Sequence, residues 1–97
     1  MTALPIYRTP AAEDDLVEIW RYVALDNAAA ATRLLDQIAE RIQQLSTFPE
    51  LGAVRTDVAE DARMLTVGRY VVLYRITTRR IEIVRVVHGA RDATALF

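Results

Sequence analysis

The chain carries one histidine, His88, and twelve basic residues that are all arginine. These are the side chains from which a neutral-pH active site would have to be built. An arginine fork matches a carboxylate or a phosphate and stabilises negative charge, but it cannot take up or release a proton near neutral pH. Histidine is the side-chain type suited to that, and His88 is the one present. Acid–base chemistry at such a site needs a general base, a general acid and charge stabilisation. Arg69, Arg75 and Arg91 would stabilise charge and His88 would move a proton. The bland reading of His88, a structural residue at a strand end, stands beside that one. There is no cysteine, so neither disulfides nor thiolate metal sites are available, and one histidine cannot make a zinc site. No metal or cofactor is expected.

All four of those residues fall in the stretch Arg63 to Asp92. Tyr70 to Thr77 and Ile81 to His88 are β-branched and aromatic runs, suited to a pleated, packed surface. Thr78-Arg79-Arg80 parts them, too short for a crossover, so the two strands form an antiparallel hairpin. Arg63 to Val67 reads as another strand, turning at Gly68-Arg69. Leu4 to Tyr7 is a short candidate strand that Pro5 restricts to an edge or a strand start.

Two helices must cover this sheet. Thr9-Pro10 is a helix start, with threonine as N-cap and proline at the first helical position. Glu13, Asp14 and Asp15 then suit the positive end of the helix dipole. Ala12, Leu16, Ile19, Trp20 and Val23 form an apolar stripe at helical spacing, so the first helix runs from about residue 10 to 25, with Trp20 in the core. Asp26-Asn27 breaks it and caps a second. Ala31, Leu34, Leu35, Ile38, Ile42 and Leu45 make the second stripe, which ends at Phe48-Pro49 because a residue before proline leaves the α region. Residues 50–62 read as a solvated loop and 90–97 as a short tail.

The expected fold is therefore α+β: a two-helix antiparallel hairpin on one face of a small, mainly antiparallel sheet of three to four strands. The 97 residues are read as one domain, 1–97. No apolar run is long enough to span a membrane and no signal peptide is seen, so a cytoplasmic location is expected. Net charge is −1, but residues 1–50 hold eight acids against four arginines, and residues 51–97 hold five acids against eight. The strand-rich half is the basic one. No helix clusters basic residues, which argues against direct DNA binding.

A two-residue turn at Thr78-Arg79 puts Arg75 opposite Glu82, a favourable cross-strand pair. One face then shows Tyr70, Val72, Tyr74, Ile76, Ile81, Ile83, Arg85 and Val87, the natural seat for the helices. Arg85 on that face must be paired or near an edge, with an acid from the first helix as candidate partner. The other face shows Arg69, Val71, Leu73, Arg75, Glu82, Val84, Val86 and His88. It is apolar in the middle and rimmed by arginine. A three-residue turn would exchange the faces of one strand. Exposed apolar patches mark interaction sites, so Val71, Leu73, Val84 and Val86 with Arg69, Arg75, His88 and Arg91 are the candidate docking surface for a partner helix or strand, unless the tail covers it.

The chain resembles the ParE/RelE superfamily of small bacterial toxins. The stretches that carry the resemblance are Ala11 to Leu16, Ile19 to Val23, Leu45 to Pro49 with Gly52, Arg63-Met64-Leu65, Tyr70 to Tyr74 and Val87 to Asp92. They occur in order over nearly the whole chain. RelE-like members are metal-free, ribosome-dependent mRNA endonucleases; ParE-like members poison DNA gyrase. A RelE-like sequence usually reads Tyr-Arg-Leu-Val-Tyr where this one reads Tyr70-Val71-Val72-Leu73-Tyr74, so the phosphate-gripping arginine is replaced by Val71. The tail tyrosine position falls near Leu96 and Phe97. The ending His88-Gly89-Ala90-Arg91-Asp92 looks like the ParE branch. The resemblance thus implies a non-enzymatic toxin of a type II toxin–antitoxin pair. Its partners would be a cognate ParD-like antitoxin, bound as a hetero-oligomer, and DNA gyrase as target. A divergent mRNA endonuclease using His88 and Arg91 is the alternative.

Overall fold

Thr9 joins the first helix to the last strand. In the computed structural model, which describes residues 3–90 and 93–97, the Thr9 hydroxyl accepts the Ala12 N–H at 3.1 Å and donates to the Val84 carbonyl at 2.8 Å. Its backbone N–H donates to the Ile83 carbonyl at 3.0 Å. Helix α1 (Pro10–Ala24) therefore starts on the sheet itself. Thr9→Ala removes a cap and a long-range bond together. We expect it to cost about 1–2 kcal/mol, read as a lower urea midpoint at unchanged slope.

Asn27 caps helix α2 (Ala28–Thr47) by accepting the Ala30 N–H at 3.0 Å. The helix stops at Phe48, before Pro49, as the sequence requires. The two helices form the expected antiparallel hairpin. Ala12, Leu16 and Ile19 from α1 and Ile38, Ile42 and Leu45 from α2 are buried against the sheet. Each large aliphatic side chain buried there contributes about 1.5–3 kcal/mol. Trp20 departs from the expected core position. It is 39% exposed and bridges to α2, its indole N–H donating to the Thr32 hydroxyl at 3.3 Å.

Among the described residues the sheet has five strands, one more than the upper expectation: β1 (Ile6–Arg8), β2 (Ala53–Val54), β3 (Arg63–Val67), β4 (Tyr70–Ile76) and β5 (Ile81–His88), in the order β1-β5-β4-β3-β2. Strand β2 lies inside the stretch read as a loop, after a 3₁₀ turn at Pro49–Leu51. Strand β1 runs parallel to β5 and the other pairs are antiparallel.

The β4–β5 hairpin turns at Thr78-Arg79, with Arg75 opposite Glu82 as expected. Beyond that pair a β-bulge intervenes. Tyr74 pairs with Ile83, but Leu73 pairs with Arg85, so Val84 is the extra residue. A bulge reverses the alternation of everything after it. Val86 and His88 consequently move to the helix side, opposite Val72 and Tyr70, and Val87 moves to the far side with Val71. The expected faces hold for β4 and for Ile81 to Ile83, and are exchanged for Val86, Val87 and His88; Arg85, beside the bulge, still reaches an acid of α1.

The expected exposed apolar patch is also corrected. Val71, Leu73 and Val86 are 7%, 0% and 1% exposed. Val86 is part of the core under the helices. On the far side, the tail's Phe97 ring lies 4.8 Å from the Arg75 guanidinium.

Candidate functional site

The bulge divides the predicted surface residues between two sides of the sheet. Val86 and His88, with Arg69 beside them, gather next to the helices, where Tyr22, Tyr70, Arg69 and His88 line a common depression. Val71, Leu73 and Arg75 lie on the far side, Val84 sits at the bulge, and Arg91 lies outside the described residues. The eight do not share one face.

His88 is exposed, but its geometry is structural. Its Nδ1 accepts the Ala90 N–H at 3.1 Å, closing the turn after β5. Its ring stands edge-on to Tyr70, with centroids 5.5 Å apart and planes at 78°, a favourable aromatic arrangement. Arg75 faces Glu82, near the start of β5, whereas His88 ends it. Six residues of extended strand separate these positions by roughly 20 Å. His88 and Arg75 are therefore neither adjacent nor on the same face, whereas Arg69 lies beside His88 and Arg91 lies outside the described residues.

The arginines of the far side are matched by carboxylates. Arg55 forms a two-point bridge to Asp57, at 2.8 and 2.6 Å. Arg80 reaches Glu82 at 2.8 Å. Arg75 lies 3.6 Å from Glu82 and 3.8 Å from Asp61, and its buried Nε has no hydrogen-bond partner among the described residues. Such half-exposed pairs are individually weak, but they leave less positive field for a phosphate backbone.

The strongest polar unit lies at the bulge, and it includes the acid anticipated for Arg85. Asp15 of α1 accepts from Arg85 Nε at 2.7 Å, from Arg85 Nη2 at 2.9 Å, and from the Val86 backbone N–H at 2.9 Å. Side-chain exposures are 13% for Asp15 and 21% for Arg85. The hydrogen bond to Asp15 raises the Arg85 pKa above the usual arginine value, against the opposing effect of burial. Beside this unit a groove of about 350 Å³ opens between α1 and β5, lined by Ile19, Tyr22, Tyr70, Val86 and His88, with Glu18 among its acidic residues. Sequence reasoning missed this groove. Its signal was Tyr22, a large ring off the core stripe that ends 74% exposed.

Tyr74 supports the opposite end of the molecule. Its ring is fully buried, while its hydroxyl accepts the Gly52 N–H at 2.9 Å and donates to the Pro49 carbonyl at 2.7 Å. Burial pushes the phenol pKa up, so the proton needed for the Pro49 bond stays in place. Among the described residues, no group of three histidine, cysteine or acidic side chains could hold a metal ion, and no helix is long and apolar enough to cross a membrane.

A two-helix hairpin on one face of an open, mainly antiparallel sheet, with eight of the twelve arginines in the strand-rich half, is the architecture of the ParE/RelE class of small toxins. The family model for the ParE toxin of the type II toxin–antitoxin system parDE matches residues 6–93, and the chain belongs to that family. Toxin ParE3 of Caulobacter vibrioides is 31% identical over 91 residues, covering 93% of this chain and 91% of the relative. Among solved structures, the chromosomal ParDE toxin–antitoxin system from P. aeruginosa matches with a TM-score of 0.76 and 25% identity, over 89% of this chain and 96% of that one. The RelBE2 toxin–antitoxin complex from Mycobacterium tuberculosis shares the fold, at a TM-score of 0.58 and 24% identity, over 89% of this chain and 98% of that one.

Proposed function

We propose that this toxin is held inactive by a cognate antitoxin and, once freed, inhibits DNA gyrase by protein contact, without cutting RNA. The observation that carries the non-enzymatic reading is the placement of His88. The chain's one histidine accepts a backbone N–H, packs on Tyr70, and lies far from Arg75. The 2′-hydroxyl route of RNA cutting needs a general acid and a general base aimed at one phosphate, and a His88 engaged in closing the turn after β5 is poorly placed to serve as either. The branch signal points the same way, with Val71 in the arginine position of the RelE-like pattern. The antitoxin reading is supported by matched structures that are themselves toxin–antitoxin systems.

The antitoxin contacts we propose remain Arg69, Val71, Leu73, Arg75, Val84, Val86, His88 and Arg91. Because these flank both sides of the β4–β5 ribbon, the partner must wrap around it. Acidic residues on the antitoxin would meet Arg69 and Arg75, while buried Val71, Leu73 and Val86 act as the rigid bed beneath. The toxin so bound is a cytoplasmic hetero-oligomer.

Induction of the chain alone in a bacterial host, with DNA damage response and mRNA integrity scored together, tests this. The expected result is filamentation and damage signalling with intact mRNA, unaltered by His88→Ala. Purified toxin that leaves gyrase supercoiling unaffected would refute the target. Translation-dependent mRNA cutting that disappears in His88→Ala would establish the nuclease alternative.

A further inference from the structure

Strand β1 pairs with β5 only at Ile81 to Ile83, although β5 continues to His88. The last five residues of β5 thus have no strand neighbour on that side among the described residues. Antiparallel pairing fixes which of their backbone groups face outward. Gly89 N–H donates to the Arg69 carbonyl, so Val87 and Arg85, two and four residues back on the same register, face β4. Val86 and His88 face the open edge, and the bond from Val86 N–H to Asp15 confirms it. The Val84 carbonyl is taken by Thr9 and the Val86 N–H by Asp15. Among the described residues the Val86 carbonyl and the His88 N–H have no partner, one acceptor and one donor two residues apart, on the rim of the α1–β5 groove.

That pair fits a strand running parallel to β5, as β1 does. In parallel pairing one residue, opposite Val87, donates its N–H to the Val86 carbonyl and accepts the His88 N–H. The residue before it then points to the helix side over Ile19, Tyr70 and Val86, an apolar seat. The residue after it points toward Tyr22 and Glu18. Tyr22 offers an exposed ring face, and Glu18, its side chain 70% exposed, forms among the described residues only a surface pair with Arg21. A cation is the side chain that suits both.

We propose that the open edge of β5 and the adjoining groove receive an extended segment of the antitoxin, parallel to β5, in which an apolar residue precedes a lysine or arginine by two positions. This rests on the toxin–antitoxin reading above and adds to it. The partner is charge-segregated, acidic where it meets Arg69 and Arg75 and basic where it crosses α1.

The test uses the full chain co-expressed with a ParD-like antitoxin that binds it. His88→Pro deletes the outward donor and blocks strand addition, while His88→Ala removes the same ring but keeps the N–H. The expected result is at least a tenfold weaker complex for the proline variant than for the alanine variant, with slowed exchange of the His88 amide in the wild-type complex. Glu18→Arg, at an exposed position that folding tolerates, is expected to weaken the complex at least fivefold, and it serves if the proline variant does not fold. Equal binding by the two His88 variants, or an unprotected His88 amide, overturns the docking edge but leaves the toxin reading standing, since the wild-type complex still forms. Unchanged binding by Glu18→Arg overturns the basic residue. Protection that grows with toxin concentration alone assigns the edge to a second copy of this chain instead. No complex with wild-type toxin overturns both readings.

Discussion

Asp15→Ala is expected to destabilise the protein by about 3 kcal/mol, the range for breaking a largely buried ion pair by removing one partner. Three hydrogen bonds are lost at once, two from the Arg85 guanidinium and one from Val86 N–H. Arg85, only 21% exposed, would be left charged in a site that gives it limited water. For a domain of this size that corresponds to a fall in Tm of roughly 12–24 °C. Asp15→Asn keeps an acceptor but loses the charge, so it should fall between wild type and alanine. Asp15→Leu combined with Arg85→Met removes both charges and should cost less than Asp15→Ala, because the penalty lies mainly in the orphaned guanidinium. Urea unfolding followed by circular dichroism measures all three. A loss below about 1 kcal/mol for Asp15→Ala would mean that the pair is solvated like an ordinary surface bridge.

Gly52→Ala should also cost about 3 kcal/mol, by overpacking. A methyl group there would lie 2.7 Å from Tyr74 Cε1, 2.8 Å from its hydroxyl oxygen and 2.9 Å from the Met64 carbonyl. The tyrosine is fully buried and the carbonyl belongs to β3, so neither yields easily. Tyr74→Phe is the complementary test. It leaves Gly52 N–H and the Pro49 carbonyl without their shared partner, for about 2 kcal/mol. The two changes strike one contact, so the double variant should cost less than the two separate losses combined. Additive losses would show that the hydroxyl and the glycine act independently.

The features written locally in the chain were legible. Thr9-Pro10 and Asn27 mark helix starts because their side chains cap within three residues. Phe48-Pro49 marks a helix end, and Thr78-Arg79 is the hairpin turn. Even Arg85 announced its need for an acid, since a guanidinium near a core demands one. The rest depended on long-range pairing. Val84 bears no mark of an extra residue; valine is as comfortable in a regular strand as in a bulge. Because of that residue the candidate surface was assigned to one face and lies on two. Ala53–Val54 becomes a strand only through β3, and the α1–β5 groove exists only because β1 stops at Arg8.

The pairing of β1 with β5 has a consequence for the order of assembly. Thr9 bonds a residue 75 positions away, and Asp15 one 70 positions away. Closing so long a loop carries an entropic cost that local contacts do not offset, and folds rich in such contacts form slowly. During synthesis the helix hairpin emerges early, but its Thr9 anchor and its Asp15 carboxylate have no counterpart until β5 has been made. A nascent chain therefore carries an unfinished toxin through most of its translation, and completion of the fold waits for the last strand.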